Sequence, residues 1–216
     1  MTLLRIDASI RTDGSTSGEI ADIVEAGWRE SRPGDPVVRR HLGTEPLPSD
    51  AWAHAVAAAG TPEAERTPEQ RSAAGLAAEL AAELLAADAV LLAVPLYNFG
   101  VSQHIKTWID LVIAGPRGDN ATAPLLAGKP TVLVTVRGGA YGAGTPREGW
   151  DHSTGYLRRI LADVWGADLT VVEREFTLVG VNPALDAFTD QAAQLKDAAQ
   201  SAARNAGRAL GADRAA

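Results

Sequence analysis

Short aliphatic segments alternate with longer amphipathic segments along the chain. These short runs occupy residues 2–6, 36–42, 88–94, 130–136 and 168–173, and the second of them is mixed in composition. The third and fourth runs are apolar at nearly every position rather than at every second one. This pattern is typical of strands that are buried on both faces, and it predicts a parallel sheet.

The segments between these runs have small or apolar residues at helical spacing. Residues 20–28 carry them on one face of a helix, and residues 105–113 and 157–165 repeat the spacing. Leu76, Leu80 and Leu84 mark a further helix, which Thr67-Pro68-Glu69 would open with proline in the first turn, and the alanine-rich segment 188–210 forms the last helix. Five strands that alternate with helices predict an open α/β sheet with helices on both faces, joined by right-handed crossovers.

Composition and charge narrow the possible functions. The chain has 216 residues, of which 46% are hydrophobic and 22% are charged, so we expect a single globular domain over residues 1–216. Its net charge of −7 opposes binding to nucleic acid or to an anionic membrane. The absence of cysteine excludes a disulfide framework, a thiolate metal site and a cysteine nucleophile.

Three further observations bear on location and on metals. The longest apolar run, residues 89–96, is too short to span a bilayer. The N-terminal segment carries charges where a secretory signal would be apolar, so we predict a cytoplasmic protein. The four histidines share no metal-ligand spacing, and we therefore predict no metal site: His41, His54, His104 and His152.

Polar loops follow the predicted strands at the edge where open parallel sheets bind ligands. The loop after the first strand, residues 9–17, contains five hydroxyl side chains and Arg11 and leads into a helix. Free N–H groups at a helix start, together with hydroxyl donors, suit a phosphate monoester. A helix N-cap within an ordinary polar loop explains the same residues equally well.

Other phosphate-binding motifs do not fit this chain. A dinucleotide site needs G-x-G-x-x-G after the first strand, and this loop has one glycine. A P-loop needs a serine or threonine after its lysine, but Gly128-Lys129 is followed by Pro130. A phospho-acceptor domain of the same architecture needs an aspartate at the end of the third strand, where this chain has Val94-Pro95.

Two more loops belong to the same edge. Pro95-Leu96-Tyr97-Asn98-Phe99-Gly100 follows the third strand, and Ser102 is a candidate N-cap for the helix from Gln103. Aromatic faces and an amide suit a flat heteroaromatic ring, although Tyr97 and Phe99 could also simply cover the core. The loop after the fourth strand, residues 137–144, is rich in glycine, which lets backbone N–H groups approach a ligand closely.

These loops together resemble the FMN-dependent NADH-azoreductases, which are flavodoxin-like quinone reductases. The resemblance rests on Ser9, the Ser15-Thr16-Ser17 run, the Pro95–Phe99 segment with Gln103-x-x-Lys106-x-Trp108-x-Asp110, and Arg137-Gly138-Gly139. It extends from the first strand to about Tyr141, and beyond Trp150 only the architecture matches. The resemblance implies strand order 2-1-3-4-5 and a homodimer with FMN sites at its interface.

The resemblance also implies an activity and a set of FMN contacts. NAD(P)H would reduce the flavin, which would then pass two electrons to a quinone or an azo compound in a ping-pong reaction. Ser9 and the serine run would hold the phosphate, Leu96 to Phe99 would line the isoalloxazine, and Val136 to Gly139 would meet its pyrimidine edge. The full candidate set is Ser9, Arg11, Ser15, Thr16, Ser17, Pro95, Leu96, Tyr97, Asn98, Phe99, Val136, Arg137, Gly138 and Gly139.

The chain departs from the family at two places. Val136 stands where the family often has a serine, which removes one possible side-chain contact. The segment between Asp110 and Lys129 is several residues short and lacks the aromatic stretch that the family folds over the flavin, so we expect a more open site. The resemblance implies that the flavin carries the chemistry. The only candidates for a catalytic side chain are Tyr141 and His152, which could face the flavin's N1–O2 side.

Two alternative activities use the same loops. One is a flavin reductase that releases reduced FMN to a partner enzyme, and the other is an electron carrier like flavodoxin. Electron carriers are typically smaller and more acidic and lack the 43–67 insertion. We interpret that insertion, with Trp52 and Val56, as part of a dimer interface or of a substrate wall.

Overall fold

Five parallel strands form the centre of the molecule. The computed structural model describes residues 1–116 and 123–212. The strands pair in the order β2-β1-β3-β4-β5, so the expected flavodoxin-like sheet is confirmed. Their bounds lie within one residue of those predicted from the sequence: β1 Leu3–Asp7, β2 Val37–His41, β3 Ala89–Pro95, β4 Pro130–Val136 and β5 Asp168–Arg174.

Six α-helices cover the two faces of the sheet within the described ranges. Short 3₁₀ turns lie at Glu63–Glu65 and Pro183–Phe188, and a π-helix follows α5 over Arg159–Val164. No helix in those ranges is both long and apolar enough to cross a membrane. The helices are α1 Thr16–Ser31, α2 Ala51–Ala59, α3 Pro68–Ala86, α4 Gln103–Ala114, α5 Thr154–Arg158 and α6 Thr189–Gly211.

Helix α2 is not predicted from the sequence, because this segment carries little periodic signal. Its buried positions are all alanine, namely Ala51, Ala55 and Ala58, whereas Trp52 and Val56 are about half exposed. Helix prediction relies on large apolar residues that recur on the buried face. In α2 the buried residues are small and the large apolar residues are exposed, so the pattern is missing.

The end of α5 corrects one detail of the predicted helical face. The helix continues as a π-helix over Arg159–Val164, and the Trp165 N–H donates to the Ile160 carbonyl, five residues back, at 2.8 Å. The wider turn leaves Val164 49% exposed, although the 3.6-residue spacing predicted it to be buried. Leu157, Leu161 and Trp165, each four residues apart, remain fully buried.

Two hydrophobic cores lie on opposite faces of the sheet. On one face, the buried Trp165 packs edge-to-face against Trp108 of α4, with ring centroids 5.8 Å apart. On the other face, α1 and α6 pack backbone against backbone. A Cβ built on Gly207 would lie only 2.1 Å from the Val24 carbonyl oxygen, so this close approach requires glycine.

The carboxyl ends of the strands continue into ordered loop starts. The Ala8 N–H donates to the Ala93 carbonyl, and the Leu96 N–H donates to the Val136 carbonyl, each at 2.9 Å. The Arg137 N–H donates to the Arg174 carbonyl at 2.8 Å. The sheet ladder therefore extends past the strands and fixes the loops that form the candidate site.

Candidate functional site

A cavity of about 230 Å³ lies at the carboxyl edge of the sheet, between the loops that follow β1, β3, β4 and β5. It has a polar end at the start of α1 and apolar walls where β3 and β4 end. Most of the residues that the sequence indicated lie around it: Ser9, Arg11, Ser15, Thr16, Ser17, Pro95, Leu96, Tyr97, Val136 and Gly138.

The polar end is built by the first turn of α1. Ser15 is the N-cap, and its Oγ accepts a hydrogen bond from the Gly18 N–H at 3.3 Å and lies 3.2 Å from the Oγ of the buried Ser17. The N–H groups of Thr16 and Ser17 have no hydrogen-bond partner within the described residues. Unpaired N–H groups at the positive end of a helix dipole form a site for an anion.

Tyr97 joins the loops that follow β1 and β3. Its hydroxyl lies 3.2 Å from Ser9 Oγ and accepts a hydrogen bond from the Ile10 N–H at 3.2 Å. Ser9 Oγ in turn accepts from the Arg11 N–H at 3.1 Å. The phenol therefore fixes the distance between the polar end and the apolar walls, a bracing role that the sequence did not indicate.

The chain reverses in a tight turn directly after Tyr97. Asn98 and Phe99 have φ angles of 48° and 66°, and the Gly100 N–H donates to the Tyr97 carbonyl at 3.0 Å. Two successive left-handed residues define a type I′ turn, and the conformation costs Phe99 roughly 1–2 kcal/mol. The side chains of both residues lie outside the cavity: Phe99 is 39% exposed, and Asn98 borders a neighbouring hollow. Their expected contact with a flavin ring stays a prediction.

Ser102 occupies the predicted N-cap position of α4 but makes no capping bond. Its Oγ is buried and has no hydrogen-bond partner among the described residues. The side chain borders the same neighbouring hollow as Asn98.

The Arg137 side chain is buried, and its contacts are with other protein groups. Its Nε donates to Asp151 Oδ2 at 2.6 Å, and its Nη1 donates to Glu173 and Glu175, each at 3.1 Å. Burial alone would raise the pKa of Asp151, but hydrogen bonds from Thr154 and Ser153 and the charge of Arg137 outweigh it and lower that pKa. Arg137 and Gly139 do not border the cavity themselves, although their chain neighbours Val136 and Gly138 do.

The segment after β5 supplies two cavity residues that the sequence did not indicate, Thr177 and Leu178. Their N–H groups donate to the carbonyls of Arg137 and Gly138, each at 3.1 Å. A Cβ built on Gly138 would lie 2.7 Å from Leu178 Cδ1, so the two segments are in close contact. No sequence motif marks Thr177 and Leu178 as site residues. Only their position just after the last strand could have indicated them.

An exposed aromatic cluster stands beside the cavity. The Phe99 ring lies 5.5 Å from that of Trp150 and 6.4 Å from that of Tyr141, and the Arg147 guanidinium lies over both Phe99 and Tyr141. The His152 N–H donates to the Phe99 carbonyl at 2.9 Å, which ties the cluster to the type I′ turn. The candidates Tyr141 and His152 therefore belong to this cluster and its support, and neither borders the cavity.

The short loop between Asp110 and Lys129 is described in part only. Residues 117–122, on which the expectation of a missing aromatic stretch mainly rests, lie outside the described residues.

Comparison with known proteins agrees with the fold. A family model for the flavodoxin-like fold matches residues 1–204. A protein from Frankia casuarinae named FMN-dependent NADH:quinone oxidoreductase is 42% identical over 208 residues, covering 94% of this chain and 96% of the relative. The chain belongs to the flavodoxin-like family of FMN-dependent NADH:quinone oxidoreductases. Another member, from Kineococcus radiotolerans, is 39% identical over 211 residues, 96% of this chain and 99% of the relative.

Solved structures agree with the fold assignment. An azoreductase from Bacillus anthracis superposes with a TM-score of 0.77 at 22% identity, covering 97% of this chain and 99% of the other. A second structure from that species, an FMN-dependent NADH-azoreductase in complex with FMN, gives a TM-score of 0.74 at 17% identity, covering 98% and 99% of the two chains. At these identities the likeness shows the fold alone. The resemblance noted from the serine run and the Tyr97-Asn98-Phe99 turn is confirmed by the family match.

Proposed function

We propose that this chain is an FMN-dependent NAD(P)H oxidoreductase that reduces quinones, azo compounds or both by ping-pong transfer of two electrons. The observation that carries the proposal is the cavity itself, which joins an anion site at the start of α1 to apolar walls at the ends of β3 and β4. The names of the Frankia and Kineococcus relatives support the same activity.

The polar end fits the phosphate of FMN. The unpaired N–H groups of Thr16 and Ser17 and the hydroxyls of Ser9, Ser15 and Ser17 would donate to a terminal phosphate monoester. FAD has a diphosphate in this position, so we expect the site to select FMN. Arg11, whose side chain borders this end, would add a positive charge.

The apolar end fits a flat ring. Pro95, Leu96 and Val136 would contact the faces of an isoalloxazine, and the close backbone approach at Gly138 would place peptide groups near its edge. Bound FMN would supply the redox chemistry, and the protein would supply placement and electrostatics. We propose no catalytic side chain of the protein's own.

We propose further that the protein acts as a homodimer in the cytoplasm. Trp52 and Val56 on α2, and Phe99 and Trp150 beside the cavity, are each at least 39% exposed. Large apolar side chains left in solvent are typical of association surfaces. Light scattering on the purified protein should give twice the mass of one chain, and a monomer would contradict the proposal.

Absorption spectroscopy tests the cofactor and the reaction together. The protein should purify with a flavin spectrum or take up added FMN, and it should bind FAD far more weakly. Anaerobic addition of NADH or NADPH should bleach the bound flavin, and a quinone should restore its absorbance. Tight binding of FAD alone would contradict the phosphate assignment.

The same experiment separates the alternative activities. If neither NADH nor NADPH reduces the bound flavin, the protein is an electron carrier instead. Quinone reduction that requires excess free FMN would indicate a flavin reductase. The rates with NADH and NADPH would identify the donor.

A further inference from the structure

A second groove of about 300 Å³ adjoins the cofactor cavity. It runs between α1, α6 and the segment that follows β5. Thr16 and Thr177 border both the cavity and the groove, which otherwise have different lining residues. Nothing in the proposed oxidoreductase reaction uses this groove.

Arg174, at the end of β5, is the unusual residue of the groove. Three arginines in the described ranges are more than nine-tenths buried, namely Arg5, Arg137 and Arg174. Arg5 pairs with Asp7, Asp22 and Glu25, and Arg137 pairs with Asp151, Glu173 and Glu175. Arg174 pairs with no carboxylate among the described residues.

The guanidinium of Arg174 has one hydrogen bond, which its Nη1 donates to the carbonyl of Glu175. A guanidinium carries five N–H donors, so most of its donor capacity is unused within the described structure. Burial lowers the pKa of Arg174, and no neighbouring carboxylate offsets the effect. Proteins rarely bury a charge without a counter-ion, because desolvation of the charge is costly.

We propose that this groove binds a small organic carboxylate, whose charged group pairs with Arg174 and whose apolar body lies along α1 and α6. A guanidinium fork matches the two oxygens of a carboxylate. Lys196 of α6 adds a second positive charge to the groove, against one acidic residue, the exposed Glu19. Ile20, Ile23 and Phe176 supply an apolar wall that a bare inorganic anion would leave unused.

The carboxylate is favoured over a phosphate by the donors that each site offers. The cofactor cavity has unpaired helix N–H groups and several hydroxyls, which suit a dianion with many acceptor oxygens. The groove offers the buried guanidinium fork of Arg174, with the apolar side chains of Ile20, Ile23 and Phe176 near it. The proposal does not depend on the identity of the cofactor, because Arg174 does not border the cofactor cavity.

Calorimetric titration with 1-naphthoate tests the site. The titration uses protein saturated with FMN, so that the neighbouring cavity is filled, and is repeated on protein as purified. We expect 1-naphthoate to bind at least tenfold more tightly than its uncharged analogue 1-naphthamide, and more tightly than inorganic phosphate. Arg174→Met should weaken 1-naphthoate binding at least tenfold while naphthamide binding stays unchanged.

A second pair of variants keeps the test decisive if Arg174→Met does not fold. Ala193 is exposed on α6 and borders the groove, whereas Ala198 is exposed on the same helix and does not. Ala193→Leu should reduce 1-naphthoate binding, and Ala198→Leu should leave it at the wild-type level. Equal effects of the two substitutions, equal binding of naphthoate and naphthamide, or phosphate binding as tight as naphthoate binding would each overturn the proposal.

Discussion

The hydroxyl groups of Ser15 and Ser17 connect local helix formation to the proposed cofactor site. Ser15 caps α1 through the Gly18 N–H, and Ser17 is buried beside it. A sequence motif could indicate both residues, because capping and phosphate binding use the same helix terminus. Thr177 could not be found in this way, because only the folded sheet brings the segment after β5 next to that of β4.

Replacement of both serines by alanine tests the phosphate assignment. Each hydrogen bond to a charged group contributes about 1.5–3 kcal/mol, so the Ser15→Ala/Ser17→Ala variant should bind FMN at least tenfold more weakly. Loss of the Ser15 cap should also lower the free energy of unfolding by about 1 kcal/mol. Flavin fluorescence titration and urea unfolding measure the two effects.

Thr12→Ala is the matched control for this double variant. Thr12 lies in the same loop and is exposed, and it does not border the cavity. It should bind FMN as the wild type does. An unchanged FMN affinity in the double variant would disprove the phosphate role of the serines.

At the scale of elements, the contact between α1 and α6 depends on missing side chains. Gly27, Gly207 and Gly211 all lie where a Cβ would come within 3 Å of the backbone of the facing helix. Helical periodicity could place Gly27 on the inner face of α1, but it could not show that the partner would be α6. The Gly207 and Val24 contact joins residues 183 positions apart, and no local pattern encodes such a contact.

Gly207→Ala should therefore destabilise the protein. The added methyl would lie 2.1 Å from the Val24 carbonyl oxygen, and because backbone cannot move aside cheaply the helices must separate. Overpacking of this kind costs about 1–3 kcal/mol, measurable as a lower urea midpoint. Gly75→Ala on α3, where a Cβ meets no atom within 4 Å, should instead raise stability by up to about 1 kcal/mol. A Gly207→Ala variant as stable as Gly75→Ala would show that the helices have room to adjust.

Strands are easier to predict than helices in this chain for a physical reason. A short, continuous aliphatic run bounded by polar loops, such as those of β3 and β4, fits few structures besides a buried strand. All five strands lie within one residue of the predicted bounds. Helix α2 escapes prediction because it buries only alanine, and the π-helix after α5 rotates Val164 away from its expected face. A 3.6-residue period cannot reveal a turn of a different width.

At the scale of the whole molecule, the size of the acceptor depends on which segments cover the cavity. The expectation of an open site rests on the short loop between Asp110 and Lys129, part of which lies outside the described residues. The Phe99, Tyr141 and Trp150 cluster offers a second source of apolar cover. That residues 1–216 form one domain, and that the predicted residues contact FMN, both stay predictions.

Steady-state kinetics on a size series of quinones distinguishes an open site from one that the aromatic cluster covers. If the site is open, kcat/KM for bulky fused-ring quinones should equal or exceed that for benzoquinones of matched reduction potential. A steep fall with acceptor size would contradict the open site. In that case Trp150→Ala should restore activity toward the larger quinones, because it removes the most exposed ring of the cluster.

The cavity draws its walls from residues as far apart as Ser9 and Leu178. A ribosome synthesises the chain from its N-terminus at about 5–20 residues per second. The Ser15–Ser17 segment therefore emerges many seconds before Leu178 does. We expect nascent chains that end before β5 to retain no FMN, and ribosome-bound chains that extend well past Leu178 to acquire it. The measurement is flavin retention on stalled ribosome-bound chains of increasing length. Retention by the shorter chains would contradict the expectation and would show that residues 9–17 bind the cofactor without the later segments. If only the longer chains retain flavin, FMN binds after most of the chain has been synthesised.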